Sequence, residues 1–300
     1  MSGRVRRSCE INERTVRPDS ARTCFARGSA APAAMFAVTL TALVVASVYY
    51  FVWGTWNPPP AITAVAHEID AQYRLTLIVT GAVFILAQLG LALAILRYRD
   101  RGKWAHYSHG NTKLELIWTV ATAVIFLGLG VFGYKAWAAR RLTAAAPNAI
   151  RVEVVTAQFV YYFRYPGPDG KFGTANPKLI DPATGNPLGI VPNDPAGRDD
   201  IVVPTLTVPV KSEIELLIRS QDVIHSFFVR ELRLQQDSVP GMTVPLHFTP
   251  ERLGRYDIVC TQLCGLGHNR MHSYLDVVSK ADYEKFLSQQ EQLLRQTSGQ

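Results

Sequence analysis

Three long apolar stretches constrain this 300-residue chain more than any other feature. Their centres are residues 36–54, 75–96 and 116–137. About 20 helical residues, at roughly 1.5 Å each, cross the hydrocarbon of a bilayer. Buried helices of a large soluble protein are the alternative, but apolar runs of this length with charged flanks are typical of membrane spans. The sequence therefore predicts a helical membrane anchor: a two-helix hairpin preceded by an extra N-terminal helix.

The first stretch follows a basic leader, residues 1–34, which holds seven Arg against three acidic residues. An Arg-rich leader before an apolar run also describes a secretory signal peptide, and Met35 is an alternative start. We favour an uncleaved helix, because the run is long for a signal peptide and no small-x-small cleavage pattern precedes the prolines at 58–60. The leader is predicted to be disordered, and its charge indicates an orientation signal rather than a nucleic-acid-binding surface.

Basic residues between the second and third stretches indicate how the chain crosses the membrane. Residues 97–113 include five Lys or Arg and one Asp, and cytoplasmic loops hold the positive excess. The basic leader is then also cytoplasmic, and everything after about residue 138 is outside. We therefore predict a membrane protein. Its anchor, residues 35–140, contacts lipid, and its remaining domain lies outside the cytoplasm.

From residue 150 to 279 the pattern changes to short β-branched and aromatic runs separated by turn residues. The predicted strands lie within 150–165, 201–220, 223–230, 244–250, 254–260 and 272–279. A two-sheet β sandwich is the simplest architecture for such a set. The Gly, Pro, Asp and Asn-rich segment 166–198 is predicted to be a long loop, either functional or mobile. Residues 280–295 have helical spacing, so 280–300 is predicted to form a C-terminal helix and tail.

Five residues of this domain are candidate metal ligands. Cys260, Cys264, His268 and Met271 follow the spacing Cys-x3-Cys-x3-His-x2-Met, and His225 lies upstream in a predicted strand. A disulfide is one alternative for two cysteines in an exported domain, and a tetrahedral zinc site is another. Neither alternative uses the methionine, whereas thioether, thiolate and imidazole together suit copper.

The second cysteine changes the expected number of metal ions. A mononuclear blue-copper site needs one Cys, whereas two thiolates on one short loop can bridge a pair of copper ions. In that arrangement His225 and His268 each bind one ion, and Met271 is a weak axial ligand. A backbone carbonyl between the cysteines can supply the opposite axial position. Sharing one electron between two bridged ions reduces the geometric change on oxidation and reduction, which suits rapid electron transfer.

Residues from about 65 to 280 resemble subunit II of heme-copper (cytochrome c) terminal oxidases. The resemblance implies a cupredoxin-like all-β sandwich with a dinuclear Cu-A centre, to which Gln262 contributes its backbone carbonyl. It also implies a c-type cytochrome as electron donor and an exit on the His268 side toward heme in subunit I, with subunit III as a further partner. Oxygen chemistry then resides in subunit I, and this chain has no catalytic residue. The sequence lacks a Cys-x-x-Cys-His motif for a fused heme, so the donor is expected to be a separate protein.

Two weaker matches to the oxidase family carry their own alternatives. Glu115 coincides with a family carboxylate at the cytoplasmic mouth of a proton path, but an acid at a helix start is also favoured by the helix dipole. Asp237 with Pro240 and Gly241 matches a D-x-x-P-G turn near the subunit interface, and ordinary turn chemistry explains the Pro-Gly pair as well.

Two departures from the family pattern limit what the resemblance implies. The family often has Glu at the position of Gln262, where the side chain helps to hold an interfacial Mg²⁺. A neutral amide is a weaker ligand for a hard cation, so this Mg²⁺ is uncertain. Phe159 and Tyr161 replace two family tryptophans, the first of which receives electrons from the cytochrome. Phe159 is therefore a candidate for the position where electrons enter, with a core aromatic residue as the alternative.

Two other functions remain open from the sequence. The same copper module could belong to a nitric oxide reductase, which this subunit's sequence would hardly reveal. A membrane-anchored copper-binding or copper-delivery protein is the alternative from another class. Delivery sites usually offer exposed Met or Cys ligands that release metal readily, whereas a full bridging set argues for retention.

Overall fold

The computed structural model describes residues 30–54, 58–99, 109–141 and 143–298. The predictions for residues 1–29 of the leader fall outside the described residues, as does the part of the basic loop from 100 to 108. The chain divides into two compact units. The second unit, Gly54–Ala82 with Asn111–Gln300, contains the β-rich domain.

Three helices carry the apolar stretches: α1 is Ala30–Trp53, α2 is Ala64–Arg97 and α3 is Thr112–Arg141. Each is long and apolar enough to cross a membrane, which confirms the predicted helical anchor. Helix α2 begins 11 residues before the predicted span (75 − 64), at a capped N-terminus. There Thr63 Oγ1 accepts a hydrogen bond from the N–H of Ala66 at 3.0 Å.

The domain after α3 is a two-sheet β sandwich, as predicted. Its strands are β1 Ile150–Ala157, β2 Val160–Tyr165, β3 Ile201–Val203, β4 Leu206–Pro209, β5 Ile214–Ser220, β6 His225–Val229, β7 Leu234–Ser238, β8 Val244–Phe248, β9 Gly254–Val259 and β10 His272–Val278. One sheet has the order β3-β2-β1-β5-β8, and the other has the order β4-β10-β9-β6-β7. Helix α4, Lys280–Ser298, follows β10 and covers the helix predicted for 280–295.

Alternating burial along the strands explains why the sheets pack face to face. In β5, Ile214, Leu216 and Ile218 are fully buried, and the residues between them are half-buried. The facing sheet contributes Phe227, Ile258 and other apolar side chains to the same core. Burying an aliphatic or aromatic side chain of this size contributes about 1.5–3 kcal/mol, so the core between the sheets stabilises the sandwich.

The predicted strand boundaries differ from the structure in three places. Residues 150–165 form a hairpin, β1 and β2, because the chain turns at Gln158 and Phe159. Residues 201–220 divide into three strands, and β10 pairs with the middle one, β4, in the other sheet. Strand β7 was not predicted, because its sequence LQQDS is mostly polar. Its pairing with β6 makes it a strand.

Local capping gives the loop 166–198 a defined conformation. Three short 3-10 turns begin at prolines 177, 182 and 195, and the preceding Asn176, Asp181 and Asp194 each accept a backbone hydrogen bond. The loop is also tied to the sandwich by Arg164, which is 1% exposed and donates to the carbonyl of Gly173 and to Asp200. The segment is therefore anchored by a buried charge network.

Candidate metal centre

Four of the predicted ligands meet at one end of the second sheet. His225 begins β6, Cys260 follows β9, Cys264 lies in the next loop and Met271 precedes β10. The strands β6, β9 and β10 are neighbours in that sheet, so these chain ends come together. His225 is fully buried, and Met271, Cys264 and Cys260 are 2%, 5% and 8% exposed. The fold thus withdraws four polar or soft side chains from water at one place.

The distances within this cluster are short enough for shared metal ligation. One ligand atom of each of His225, Cys260 and Cys264 lies within 4.8 Å of those of the other two. The two Sγ atoms are 3.9 Å apart and unbonded, and Cys264 Sγ lies 3.9 Å from Met271 Sδ. A metal–sulfur bond measures about 2.3 Å, so one ion can contact both thiol sulfurs.

His268 and Gln262 are placed around this cluster by the loop between β9 and β10. The Nδ1 of His268 lies 3.5 Å from Cys264 Sγ, but His268 is outside the three-residue group. The carbonyl oxygen of Gln262 lies 3.1 Å from Cys260 Sγ, and the residue itself is exposed. The structure therefore brings every predicted ligand to the cluster, with His268 in contact with one thiol.

A residue that the sequence analysis missed orients His225. Asp222 Oδ1 lies 2.8 Å from Nε2 of His225, and the backbone N–H groups of Gln158 and Val223 also donate to Asp222 at 2.7 Å and 2.6 Å. Partial burial raises the pKa of Asp222, but these hydrogen bonds outweigh it and the pKa lies below its usual value. The sequence offered one signal for Asp222: it is an acidic residue three positions before a candidate ligand. Ligating histidines commonly pair their second nitrogen with a carboxylate.

The other ring nitrogen of His225, Nδ1, is the observation that best tests the fit of a metal. It is buried and has no hydrogen-bond partner among the described residues. A buried polar atom without a partner is costly, and the cost is removed if the atom binds an ion. Two thiols, a thioether and imidazoles form a soft donor set that fits copper and fits a hard cation poorly.

Burial also affects the protonation of the cluster. Desolvation and the neighbouring Cys260 raise the pKa of the Cys264 thiol to about 11. The thiolate is the form that binds metal, so ligation at neutral pH must displace a proton. Desolvation raises the pKa of Tyr161 as well, and its hydroxyl donates to the carbonyl of Ser226 at 2.6 Å.

The β1–β2 turn packs directly on the metal-ligand loop. Phe159 is 37% exposed, and a Cβ added to Gly267 would lie 2.4 Å from its Cδ2 atom. Gly265 has φ 134° and faces the same ring, and a Cβ there would lie 2.8 Å from Nε2 of Gln158. Gln158 Nε2 in turn donates to the carbonyl of Cys264 at 2.6 Å. The ring of Phe159 thus bridges the solvent and the ligand loop.

The weaker sequence matches lie elsewhere. Glu115 is an exposed residue in the first turn of α3, and the structure does not bring it into the cluster. Asp237 pairs with Ser226 across β6 and β7, and its Oδ1 is buried without a hydrogen-bond partner in the described part of the chain. Gly241 has φ 78°, as the predicted Pro-Gly turn requires.

Comparison with known proteins gives consistent matches. The family model "Cytochrome C oxidase subunit II, periplasmic domain" matches residues 198–281, and "Cytochrome C oxidase subunit II, transmembrane domain" matches residues 51–136. An alternative cytochrome c oxidase subunit 2 of Bradyrhizobium diazoefficiens is 33% identical over 257 residues, covering 85% of this chain and 91% of that protein. A cytochrome c oxidase subunit 2 of Cereibacter sphaeroides is 28% identical, covering 77% and 78% of the two chains.

Among solved structures, the periplasmic domain of subunit II of cytochrome oxidase of Bradyrhizobium japonicum matches with a TM-score of 0.37. It is 20% identical in sequence, and the match covers 51% of this chain and 98% of that one.

Proposed function

The chain belongs to the cytochrome c oxidase subunit II family, and from this premise we propose that its buried cluster holds a dinuclear copper centre that relays electrons. The relatives are named as oxidase subunits, which supports the oxidase function over a nitric oxide reductase or a copper-delivery protein. The chain is thus one subunit of an oxygen-reducing complex. The family's two domain descriptions also make it a membrane protein with a periplasmic domain.

The unpartnered Nδ1 of His225 carries the proposal of a resident metal, because it lies buried beside two thiols and a thioether. When bound, a copper pair would take up and release one electron at a time. Cys260, Cys264, His225 and His268 would hold the copper. Met271 and the carbonyl of Gln262 would be weaker ligands. Asp222 would hold the His225 ring in its binding orientation.

We propose that electrons enter beside Phe159 and leave on the His268 side, toward heme in subunit I. The half-exposed ring of Phe159 touches the backbone between Cys264 and His268. Leu266 in the same loop is fully exposed. If a c-type cytochrome docks on this surface, only the ring of Phe159 would separate it from the ligand loop. The exposure of Leu266 and Phe159 supports an apolar rather than a charge-paired contact with the donor.

The remaining expectations concern protons, ions, partners and location. We propose the bacterial inner membrane as the location, with lipid around the three helices and subunits I and III as protein partners. Glu115 keeps its proposed role at the mouth of a proton path in subunit I, supported by its exposed position at the start of α3. At the position where the family often has Glu for an interfacial Mg²⁺, the chain has the amide of Gln262, a weaker ligand than a carboxylate. That ion stays an open expectation.

Metal analysis of the purified oxidase complex tests the proposed centre. We expect two copper ions per copy of this subunit, beyond the copper of subunit I, and a mixed-valence absorption that disappears on full reduction. A single copper ion per chain, or a subunit without such absorption, would contradict the dinuclear centre. Zinc in place of copper would revive the tetrahedral alternative.

A further inference from the structure

We propose that the ion pair between Asp70 and Arg233 is a positioning device, which fixes the copper-binding hairpin to the start of the membrane helix α2. This inference rests on the proposed function, because it concerns electron passage from copper to subunit I. Arg233 Nε lies 2.8 Å from Asp70 Oδ1, and its second terminal nitrogen lies 3.0 Å from Oδ2. Two parallel hydrogen bonds of this kind fix orientation as well as distance.

The backbone of Arg233 directs its side chain toward the helix. Arg233 ends the 3-10 turn Arg230–Leu232 in a left-handed conformation, φ 55°. The same guanidinium donates to the carbonyl of Pro59 at 2.5 Å and to the carbonyl of Arg230. A non-glycine residue with positive φ is uncommon, and here the strained backbone is accompanied by four contacts from one side chain. The side chain therefore connects the turn, the segment before α2 and α2 itself.

A second contact, eight residues earlier in the chain (70 − 62), makes this connection rigid. Ile62 is 1% exposed and belongs to the core of the sandwich. Its N–H donates to the carbonyl of Glu231 at 3.1 Å, and its carbonyl accepts from the N–H of Glu251 at 2.8 Å. Helix α2 begins two residues later, at Ala64. One contact alone would leave the helix free to pivot, whereas Ile62 and Asp70 together fix the direction in which it leaves the domain.

The strand register carries this constraint to the metal ligands. Arg233 immediately precedes β7, and β7 pairs with β6 from Val229–Leu234 at the closed end of the hairpin to His225–Ser238 at the open end. His225 is a proposed copper ligand. A tilt of the hairpin relative to α2 would therefore displace the copper centre. Electron tunnelling slows exponentially with distance, so a small displacement changes the rate of onward transfer to a fixed acceptor.

The readout separates a positioning role for the pair from a purely structural one. The side chains of Arg233 and Asp70 are 12% and 21% exposed, so the pair is largely buried and its loss also costs some stability. The sandwich keeps its own apolar core and its covalent connection from α3 into β1. A change in alignment would slow onward electron transfer in a complex that still assembles and binds copper.

Arg233→Gly in the complete oxidase complex tests the proposal, because glycine keeps the left-handed backbone without strain. The copper absorption and the rate at which a c-type cytochrome reduces the copper are expected to match the wild type. Electron passage from copper to heme, followed after rapid photoreduction of the donor, is expected to be severalfold slower. Exchanging the charges, Asp70→Arg with Arg233→Asp, should restore most of that rate.

Asp276→Asn is the matched control. Asp276 also forms a bidentate ion pair, with Arg255, and both hydrogen bonds measure 2.7 Å. This pair joins β9 to β10 and does not involve α2. The onward rate of this control should equal the wild type. An unchanged onward rate in Arg233→Gly would overturn the proposal. If Arg233→Gly fails to assemble, the exchanged pair decides: assembly with a recovered rate supports the device, and failure of both variants overturns it. If the proposed function itself is wrong, the cytochrome will not reduce copper even in the wild-type complex.

Discussion

At the scale of single residues, the candidate centre depends on side chains that are costly to bury without a metal. His225 has a buried nitrogen without a partner, and the pKa of the Cys264 thiol is raised by burial to about 11. A core stabilised only by packing would more readily use apolar residues here. The donor set is therefore explained by ligation rather than by stability.

Replacing either thiol tests the bridging arrangement. We expect Cys260→Ser or Cys264→Ser to abolish the mixed-valence absorption, because each variant removes one of the two thiolates that are proposed to hold the copper pair together. Optical and electron paramagnetic resonance spectra of the purified complex provide the measurement. A serine variant that retained the wild-type spectrum would refute the ligand assignment.

Met271→Leu should have a milder effect, because an axial thioether mainly tunes the reduction potential. We expect copper to remain bound while the potential shifts and electron transfer slows. The matched control is Met242→Leu, since Met242 is 57% exposed in the same domain. Redox titration should distinguish the two variants, and equal potentials would exclude Met271 from the centre.

Copper affinity should depend on pH and on Asp222. Because copper must displace a proton from Cys264, whose pKa is about 11, apparent affinity is expected to rise with pH and to fall in acid.

Asp222→Asn removes the carboxylate that orients His225, and loss of such a partner typically weakens metal binding about 10- to 100-fold. Chelator competition at several pH values measures both effects. An affinity independent of pH would contradict thiolate ligation.

At the scale of elements, two loops are held by contacts with other parts of the sandwich. The β1–β2 turn packs the ring of Phe159 on the ligand loop. The segment 166–198 is tied to β2 through Arg164. Neither contact is evident from the composition of its loop.

Phe159→Leu tests whether electrons enter at this turn. Leucine keeps an apolar contact with Gly265 and Gly267 but lacks the aromatic ring. We expect the cytochrome to reduce copper more slowly, with an unchanged onward rate, and Phe159→Trp to preserve the wild-type rate. Phe172→Leu, in the loop 166–198, is the control. Stopped-flow reduction that is equally fast in Phe159→Leu and the control would exclude this role.

Arg164→Leu should destabilise the domain, because it leaves the buried carboxylate of Asp200 and the half-buried Glu153 without their shared partner. Breaking a buried pair on one side costs about 3–5 kcal/mol. Arg255→Leu, which breaks an exposed pair, should cost about 0–1 kcal/mol. Denaturant unfolding of the two variants measures the difference. Equal losses would mean that the network contributes no more than a surface pair.

At the scale of the whole molecule, the β sandwich has covalent and non-covalent connections within the second compact unit to α3 and to the first turns of α2. Helix α3 leads into β1, and the segment before α2 is hydrogen-bonded to the sandwich through Ile62 and Asp70. The proposed relay from a cytochrome to subunit I would depend on such connections, because the rate of each electron transfer depends on its distance.

The sequence by itself determined the apolar spans, the two-sheet sandwich and the set of side chains suited to copper. These follow from local composition, strand periodicity and a ligand spacing that lies within twelve residues of one loop (260–271). The sequence also predicted the family, through the ligand pattern and the helical hairpin. The roles of Glu115, Phe159 and the copper ligands stay proposals.

Only the tertiary structure decided which distant residues support that site. Strand β7 has a polar sequence and is a strand because β6 pairs with it. Asp222 lies only three residues before His225, but the fold of the turn decides that its carboxylate contacts the ring. The pair of Asp70 and Arg233 joins residues 163 positions apart. Hydrogen bonds and ion pairs of this kind depend on side-chain direction and chain topology, which local periodicity does not encode.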